Sequence, residues 1–331
     1  MRVVPALVTG ATGFIGRRLV RRLVASGEPV RALVLPGEAA GALESDPAVE
    51  VVRGDVTDAA AVAGAADGCQ RVYHLAAVVG DWGDEATFEA VNVGGTRNVL
   101  DAAEAAGAER VLLVSSIVVY GWGMHTGVCA EDAPREYGVG PYSRTKRASE
   151  QLALDYHALG RVPVTVVRPG NVFGAGSDVW VDQLLAVMRA GRAMLIDGGG
   201  GDAVLAHVDN VVDVIVRAAT SDVAAGRVYN ANDGAGVTWR EYVSDLAQVA
   251  GVAAPRRSIP APAARALAAA MERTWRALGR AGRPLLTREA VTLLASRAPV
   301  PVDRARRELG YQPPVTYDDA IHEIAEYIHA Q

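Results

Sequence analysis

Tyr142 and Lys146 stand four residues apart, a spacing that puts a phenol and an ammonium on one face of a helix. A phenol titrates near pH ~10 and moves protons poorly at neutrality. A neighbouring ammonium favours the phenolate and is expected to lower that value. A phenol tuned this way can give a proton to a carbonyl oxygen as hydride arrives, or take one from an alcohol as hydride leaves. Upstream, Ser115 and Ser116 precede the apolar residues Ile117, Val118 and Val119. A hydroxyl at such a strand end either hydrogen-bonds the reacting oxygen or is satisfied by nearby backbone.

Hydride chemistry needs a carrier, and the N-terminal run Leu7-Val8-Thr9-Gly10-Ala11-Thr12-Gly13-Phe14-Ile15-Gly16 is built to hold one. It reads as a short apolar strand, a glycine turn and a helix start. Gly10 makes the tight turn, Gly13 removes a side chain from the path of a pyrophosphate, and Gly16 lets the helix pack against the sheet. The helix N-terminus then offers unpaired N–H groups to phosphate. A bound, oxidised nicotinamide would carry positive charge and add to the pull on the Tyr142 phenol.

The elements that position these groups alternate along the chain. Apolar strands are expected at 6–9, 30–35, 49–52, 71–75, 111–115 and 164–168. Helices are expected at 14–26, 87–106 and 142–159, the second closed by Gly107 and the third preceded by Pro141. Pro5 cannot donate within a central strand, so the first strand is taken to begin at Ala6. Repeated strand–helix units imply an α/β fold, a doubly wound parallel sheet of Rossmann type covered on both faces. After Arg168 the alternation loosens. Residues 1–168 are expected to form the dinucleotide-binding domain. Residues 169–331 are expected to form mainly a smaller substrate-binding lobe, interleaved with the first and facing the C-terminal edge of the strands.

Composition narrows the classes. Half of the 331 residues are hydrophobic, the net charge is −5, and no apolar run is long enough for a membrane span. Cys69 and Cys129 match no metal or redox spacing, so no metal site is expected. With no secretory leader expected, a reducing cytoplasm fits. The charge is uneven: Arg256, Arg257, Arg265, Arg273, Arg276, Arg280, Arg283, Arg288 and Arg297 face only Glu272 and Glu289 between positions 256 and 297. That stretch reads either as a solvated helical face or as a grip for an anion. Within it Leu267, Met271, Trp275 and Leu278 fall at helical spacing, a stripe expected to pack into the core or else to cover an apolar substrate.

Taken together these motifs resemble the short-chain dehydrogenase/reductases in their extended form, the NAD-dependent epimerase/dehydratase family, over nearly the whole chain. The resemblance makes Gly10, Thr12, Gly13, Phe14, Ile15 and Gly16 the cofactor turn. It gives Asp55 and Val56 of Gly54-Asp55-Val56 to the adenine, and Leu75, Ala76 and Ala77 of His74-Leu75-Ala76-Ala77 to the strand beside the cofactor. It implies a catalytic set of Ser116 rather than Ser115, Tyr142 and Lys146, with Asn92 of Asn92-Val93-Gly94-Gly95-Thr96 propping the site and Lys146 on the ribose. Pro169, Asn171 and Val172 of Arg168-Pro169-Gly170-Asn171-Val172-Phe173-Gly174 would hold the nicotinamide amide. Asn171 and His207 would lie on the substrate side, although His207 reads equally as a packed strand residue.

Departures from the family pattern bear on the reaction. Ile117 and Val118 stand where dehydratases carry an acidic pair, and Ala203 stands where sugar-nucleotide epimerases carry a diphosphate-gripping arginine. Pro284-Leu285-Leu286-Thr287-Arg288 and the segment from Ala305 to Tyr311 resemble the 3β-hydroxysteroid dehydrogenase and dihydroflavonol reductase branch. The resemblance therefore implies reversible hydride transfer between NAD or NADP and a secondary alcohol or ketone on a small lipophilic molecule. The alternatives are a sugar-nucleotide epimerase with tightly held NAD, and a cofactor-sensing binding protein. Neither cofactor is preferred: Leu35 replaces the usual acidic residue at the end of the second strand, while Arg17 and Arg31 are candidates for a 2′-phosphate. The resemblance also implies a homodimer through helices 87–106 and 142–159. Neither a nucleic-acid partner nor an integral membrane span is expected.

Overall fold

The computed structural model describes residues 4–135 and 138–331. Strands β1 (Ala6–Thr9), β2 (Val30–Val34), β3 (Val49–Arg53), β4 (Arg71–His74), β5 (Arg110–Val114) and β6 (Val164–Pro169) occur where the apolar runs place them. All are parallel, in the order β3-β2-β1-β4-β5-β6. The order reverses between β1 and β4, and this switch point opens a crevice at the strands' C-terminal ends.

Helices cover both faces. On one side lie α1 (Phe14–Ala25) and α7 (Val208–Thr220), sealing Leu19, Leu23, Val211 and Ile215 against the sheet. On the other lie α2 (Ala59–Ala66), α4 (Gly95–Ala105) and α5 (Pro141–Ala158), with Val62, Val99, Leu100 and Ala153 buried. The helix expected at 87–106 starts earlier, as α3 (Glu85–Phe88), because Asp84 caps it by accepting from the Thr87 N–H at 3.0 Å. It then widens into a π turn over Glu89–Gly94 before α4.

The second half of the chain returns to the main sheet. Strand β10 (Val228–Ala231) pairs with β6 from Val228–Val166 to Ala231–Pro169 and makes the seventh strand. Apart from α7 and the helix Asp303–Leu309, the rest of this half lies outside the main sheet. Two small parallel pairs, β7 (Asn171–Phe173) with β9 (Leu205–His207) and β8 (Leu195–Ile196) with β11 (Ser258–Ile259), sit among the helices. Helices α6 (Gln183–Arg189), α8 (Trp239–Val249) and α12 (Tyr317–His329) close on Phe173, Tyr242 and Leu246. Helices α9 (Ala261–Ala277) and α10 (Arg288–Leu294) pack together, and α11 (Asp303–Leu309) joins the sheet face of α7.

The arm around α9 departs from expectation. Its buried stripe is Ala261, Ala264, Ala268 and Glu272, whereas Leu267 and Leu278 are exposed. Small residues at i, i+3 and i+7 let α9 lie close to α10, which turns the leucines outward. The arginines of this stretch act partly as clasps. Arg283 and the Thr287 hydroxyl (2.6 Å) hold Asp81, Arg276 lies over Trp82, and Arg288 pairs with Glu272 at 2.8 Å. Among the described residues no helix is long and apolar enough to cross a membrane.

Candidate active site

The glycine turn and the segments after β3, β4, β5 and β6 lie at the C-terminal ends of parallel strands, whereas Tyr142 and Lys146 stand on α5 and Asn92 on the π turn. Gly10 follows β1 with a φ of 69°, a left-handed turn that glycine adopts without strain. A β-carbon there would lie 2.7 Å from the Ala76 amide nitrogen, so the turn touches the segment after β4. At Gly16 a β-carbon would lie 2.0 Å from the Gly10 carbonyl oxygen, so glycine is needed where the start of α1 meets the turn. Gly13 is exposed and caps α1 without a side chain, and no acidic residue occupies the first turn. Uncapped N–H groups and a bare glycine surface fit a pyrophosphate. Thr12, Phe14 and Ile15 complete this turn.

A buried hydrogen-bond chain fixes the neighbouring loop. The Ala76 N–H donates to Thr9 Oγ1 at 3.2 Å, and Thr9 Oγ1 meets His74 Nδ1 at 2.8 Å. His74 Nε2 meets Thr96 Oγ1 at 3.0 Å, and the Thr96 hydroxyl donates to the Asn92 carbonyl at 2.6 Å. Because Thr96 spends its proton on Asn92, His74 donates from Nε2 and accepts at Nδ1. Burial and the Lys146 charge push His74 down to about 3, so the ring is neutral. Leu75, Ala76 and Ala77 are thereby held beside the glycine turn. Asp55 and Val56 follow β3: Asp55 Oδ1 accepts from the Thr57 N–H at 2.8 Å, and the Val56 carbonyl accepts from Asn98 Nδ2 at 2.9 Å.

The two serines after β5 part ways. Ser115 is buried and donates to Glu150 at 2.7 Å, while Ser116 hydrogen-bonds Tyr142. The backbone thus selects Ser116 as the hydroxyl beside the phenol. Tyr142, Lys146 and Glu150 follow at i, i+4 and i+8 on α5. Lys146 Nζ donates to the Val114 carbonyl at 2.7 Å, and burial pushes it down to about 8 against the pull of Glu150. The phenol does not move in the expected direction. Burial and the Glu289 carboxylate raise Tyr142 above its ordinary value, and only the Ser116 hydrogen bond opposes them. Burial is the larger cause; the ammonium donates to the Val114 carbonyl, and the Glu289 carboxylate of α10 adds to the rise.

Asn92 supports the site from behind. On the π turn its Oδ1 accepts from the Val78 N–H (2.7 Å) and its Nδ2 reaches the Val78 carbonyl (3.1 Å) and Thr145 Oγ1 (3.0 Å). It therefore joins the loop after β4 to the helix of Tyr142 and touches neither Tyr142 nor Lys146 through these bonds. It is a positioning residue. Pro169 ends β6, Val172 is half-buried on β7, and Asn171 donates from Nδ2 to the Ala203 carbonyl at 2.6 Å.

His207 is corrected from the substrate side to the packed reading. It is fully buried, accepts from the Asp209 N–H at Nδ1 (3.3 Å), meets Glu323 through Nε2 (2.7 Å) and stands edge-on to Phe173. Both ring nitrogens are used inside the protein. Ala203 is likewise fully buried and lines no binding surface. Arg31 is also corrected: it sits near the start of β2, paired with Glu50 at 2.8 Å and bonded to the Ala65 and Asp67 carbonyls, at the opposite end of the strand from the crevice.

Several residues escaped sequence reading. Arg53, the last residue of β3, folds onto the end of β2 and donates to the carbonyls of Leu35 (3.3 Å) and Glu38. Glu150 is fully buried between Ser115, Arg135 and Arg168, and Arg168 also donates to the Tyr120 hydroxyl at 2.8 Å. Glu289 lies 146 residues from the helix it touches. One signal was available: Lys146 is the single lysine among 33 basic residues. A chain that uses arginine everywhere else keeps at this position the one cation that can be neutralised by burial.

The family described as "NAD dependent epimerase/dehydratase family" matches residues 6–231. A 4-hydroxy-2-methyl-3-oxo-4-farnesyl-3,4-dihydroquinoline-1-oxide ketoreductase of Stigmatella aurantiaca is 35% identical over 96% of this chain and 95% of its own. A 2-alkyl-3-oxoalkanoate reductase of Stenotrophomonas maltophilia is 31% identical over 96% and 97%. Among solved structures, MoeE5 in complex with UDP-glucose and NAD superposes with a TM-score of 0.75 at 26% identity, covering 98% of this chain and 99% of that one.

Proposed function

The chain belongs to the NAD dependent epimerase/dehydratase family, and from that premise we propose that it interconverts a ketone and a secondary alcohol on a small lipophilic molecule. It is an oxidoreductase of the extended short-chain type with an NAD(P) cofactor. The observation that carries the reading is the hydrogen bond between Ser116 and Tyr142, beside a buried Lys146, at the mouth of the parallel sheet.

When bound, the nicotinamide coenzyme supplies or takes the hydride. The glycine turn from Gly10 to Gly16, Asp55, Val56, Leu75, Ala76, Ala77, Pro169, Asn171 and Val172 would hold it. Tyr142, kept as a phenol, donates its proton to the carbonyl oxygen in reduction and recovers it in oxidation. Ser116 donates a hydrogen bond to the same oxygen. Lys146 supplies positive charge behind the phenol and a contact for the ribose.

Arg53 favours NADP over NAD, because its guanidinium lies where an acidic residue would otherwise bind the ribose hydroxyls. The ketoreductase names of the relatives support a 3-oxo substrate with an apolar tail. The sugar-nucleotide alternative lacks the expected diphosphate grip, since Ala203 is apolar and inaccessible. Residues 169–331 would supply most of the substrate lobe. A homodimer through the α4 and α5 faces, and a cytoplasmic location suited to two buried cysteines, complete the proposal.

The test is a nicotinamide-absorbance screen of steroid, flavonoid, 3-oxoacyl and sugar-nucleotide panels with both cofactors. Turnover on lipophilic ketones that falls by about 10²-fold or more in Tyr142→Phe supports the reading. Wild-type turnover in that variant overturns it.

A further inference from the structure

The helix that carries Tyr142 lacks the side chain that should cap it. Gly140 is its N-cap, Pro141 its first residue and Ser143 its N3 residue. In a capping box, the N-cap side chain accepts from the N3 amide while the N3 side chain reaches back to the N-cap amide. Ser143 provides the second half, its hydroxyl lying 3.4 Å from the Gly140 nitrogen. The first half comes from elsewhere in the chain: Glu289 Oε1, on α10, accepts from the Ser143 N–H at 2.9 Å.

The glycine is explained by the same arrangement. Its φ of −116° is open to any residue, so backbone strain does not require it. A β-carbon at 140 would lie 1.5 Å from Glu289 Oε2. Glycine leaves the space that the distant carboxyl fills. That carboxyl is buried, and Oε2 has no hydrogen-bond partner. The groups facing it are the Ser143 amide and the Tyr142 phenol of α5, Arg144 beside them, and Asp81 from the loop after β4. Asp81 is itself held by Arg283 and Thr287, and Arg288 of α10 turns away to Glu272.

We propose that Glu289 is a positioning residue for the proton donor: it supplies in trans the missing N-cap of the catalytic helix, and in its ionised form opposes negative charge on Tyr142. The second half of this statement rests on the reading of Tyr142 as the proton-transfer residue; the first half does not. Burial pushes Glu289 up to about 7, so the opposing charge appears as the pH rises through neutrality. The substrate lobe and the catalytic helix are thereby joined at the turn that holds the phenol.

Two experiments on the full chain test the two halves. The first is a thermal-melting cycle of wild type, Gly140→Ala, Glu289→Ala and the double variant. Each single change should lower Tm, and the double should melt close to Glu289→Ala alone, because the methyl clashes only while the carboxyl fills that space. Additive losses would overturn the cap. The second compares pH profiles of kcat/KM for reduction of a 2-alkyl-3-oxo ester probe by wild type and Glu289→Gln, which keeps the acceptor oxygen and loses the charge. Wild type should decline roughly threefold through about pH 7, and Glu289→Gln should not, because a less acidic phenol gives up its proton less readily. Parallel profiles would overturn the charge effect. An inactive wild type with a non-additive melting cycle would remove the proposed reaction and leave the cap standing.

Discussion

Asn92 Nδ2 donates to Thr145 Oγ1 at 3.0 Å, joining a π turn on one helix to the residue next to Lys146 on another. The same side chain makes two bonds to the Val78 backbone. Loss of Asn92 would leave the half-buried Val78 N–H and carbonyl without it, at a cost of up to about 1–3 kcal/mol for each group that water does not reach. Asn92→Ala should lower both Tm and kcat, while Asn92→Asp should restore the bond from the Val78 N–H but not those that Nδ2 donates. Melting curves and steady-state rates for the two variants check this.

The His74 chain predicts an acid-labile fold. Its folded pKa of about 3 lies below the ordinary value, so the unfolded chain binds the extra proton. Stability from this group is therefore full above about pH 6.5 and is lost as the pH falls, at up to about 1.4 kcal/mol per pH unit. His74→Asn keeps one donor and one acceptor and should flatten the slope between about pH 6 and 4. Denaturant midpoints across that range measure it. Equal slopes in the two proteins would count against a neutral, buried imidazole.

Arg53 sets the cofactor prediction. It reaches the Leu35 and Glu38 carbonyls at the end of β2, and its partner Glu44 is exposed and holds it weakly. Arg53→Ala should raise KM for NADPH by about tenfold, as one lost charge-assisted phosphate contact implies, and leave KM for NADH nearly unchanged. Equal effects on the two cofactors would show that the guanidinium does not meet the 2′-phosphate.

The clasp on Asp81 predicts a separation of binding from chemistry. Thr287 and Arg283 hold this carboxylate and tie the α9–α10 arm to the loop after β4. Asp81→Ala should raise KM for lipophilic ketones several-fold with a smaller change in kcat, because the arm is loosened while Ser116, Tyr142 and Lys146 stay in place. Steady-state kinetics with a homologous series of alkyl ketones shows whether the KM effect grows with chain length.

Local pattern carried the architecture because its signals act over short separations. The strand–glycine–helix run from Leu7 to Gly16, the apolar strands and the Tyr142–Lys146 spacing each involve residues within one or two turns. Alternation of strands and helices then dictates a parallel sheet, and the sheet brings the motifs to one edge. The choice of Ser116 over Ser115 rested on family resemblance; in the fold Ser115 is committed to Glu150.

What the sequence determined by itself, then, was the wound sheet, the glycine turn and the phenol–ammonium pair. Tertiary structure alone decided the direction in which the phenol is shifted, the burial of His207, the outward face of Leu267 and Leu278, and the meeting of Glu289 with α5. The physical reason is that a pKa and a packed face depend on which groups burial brings together. Glu289 and Ser143 are 146 residues apart, and no periodicity along a chain encodes a contact across that distance.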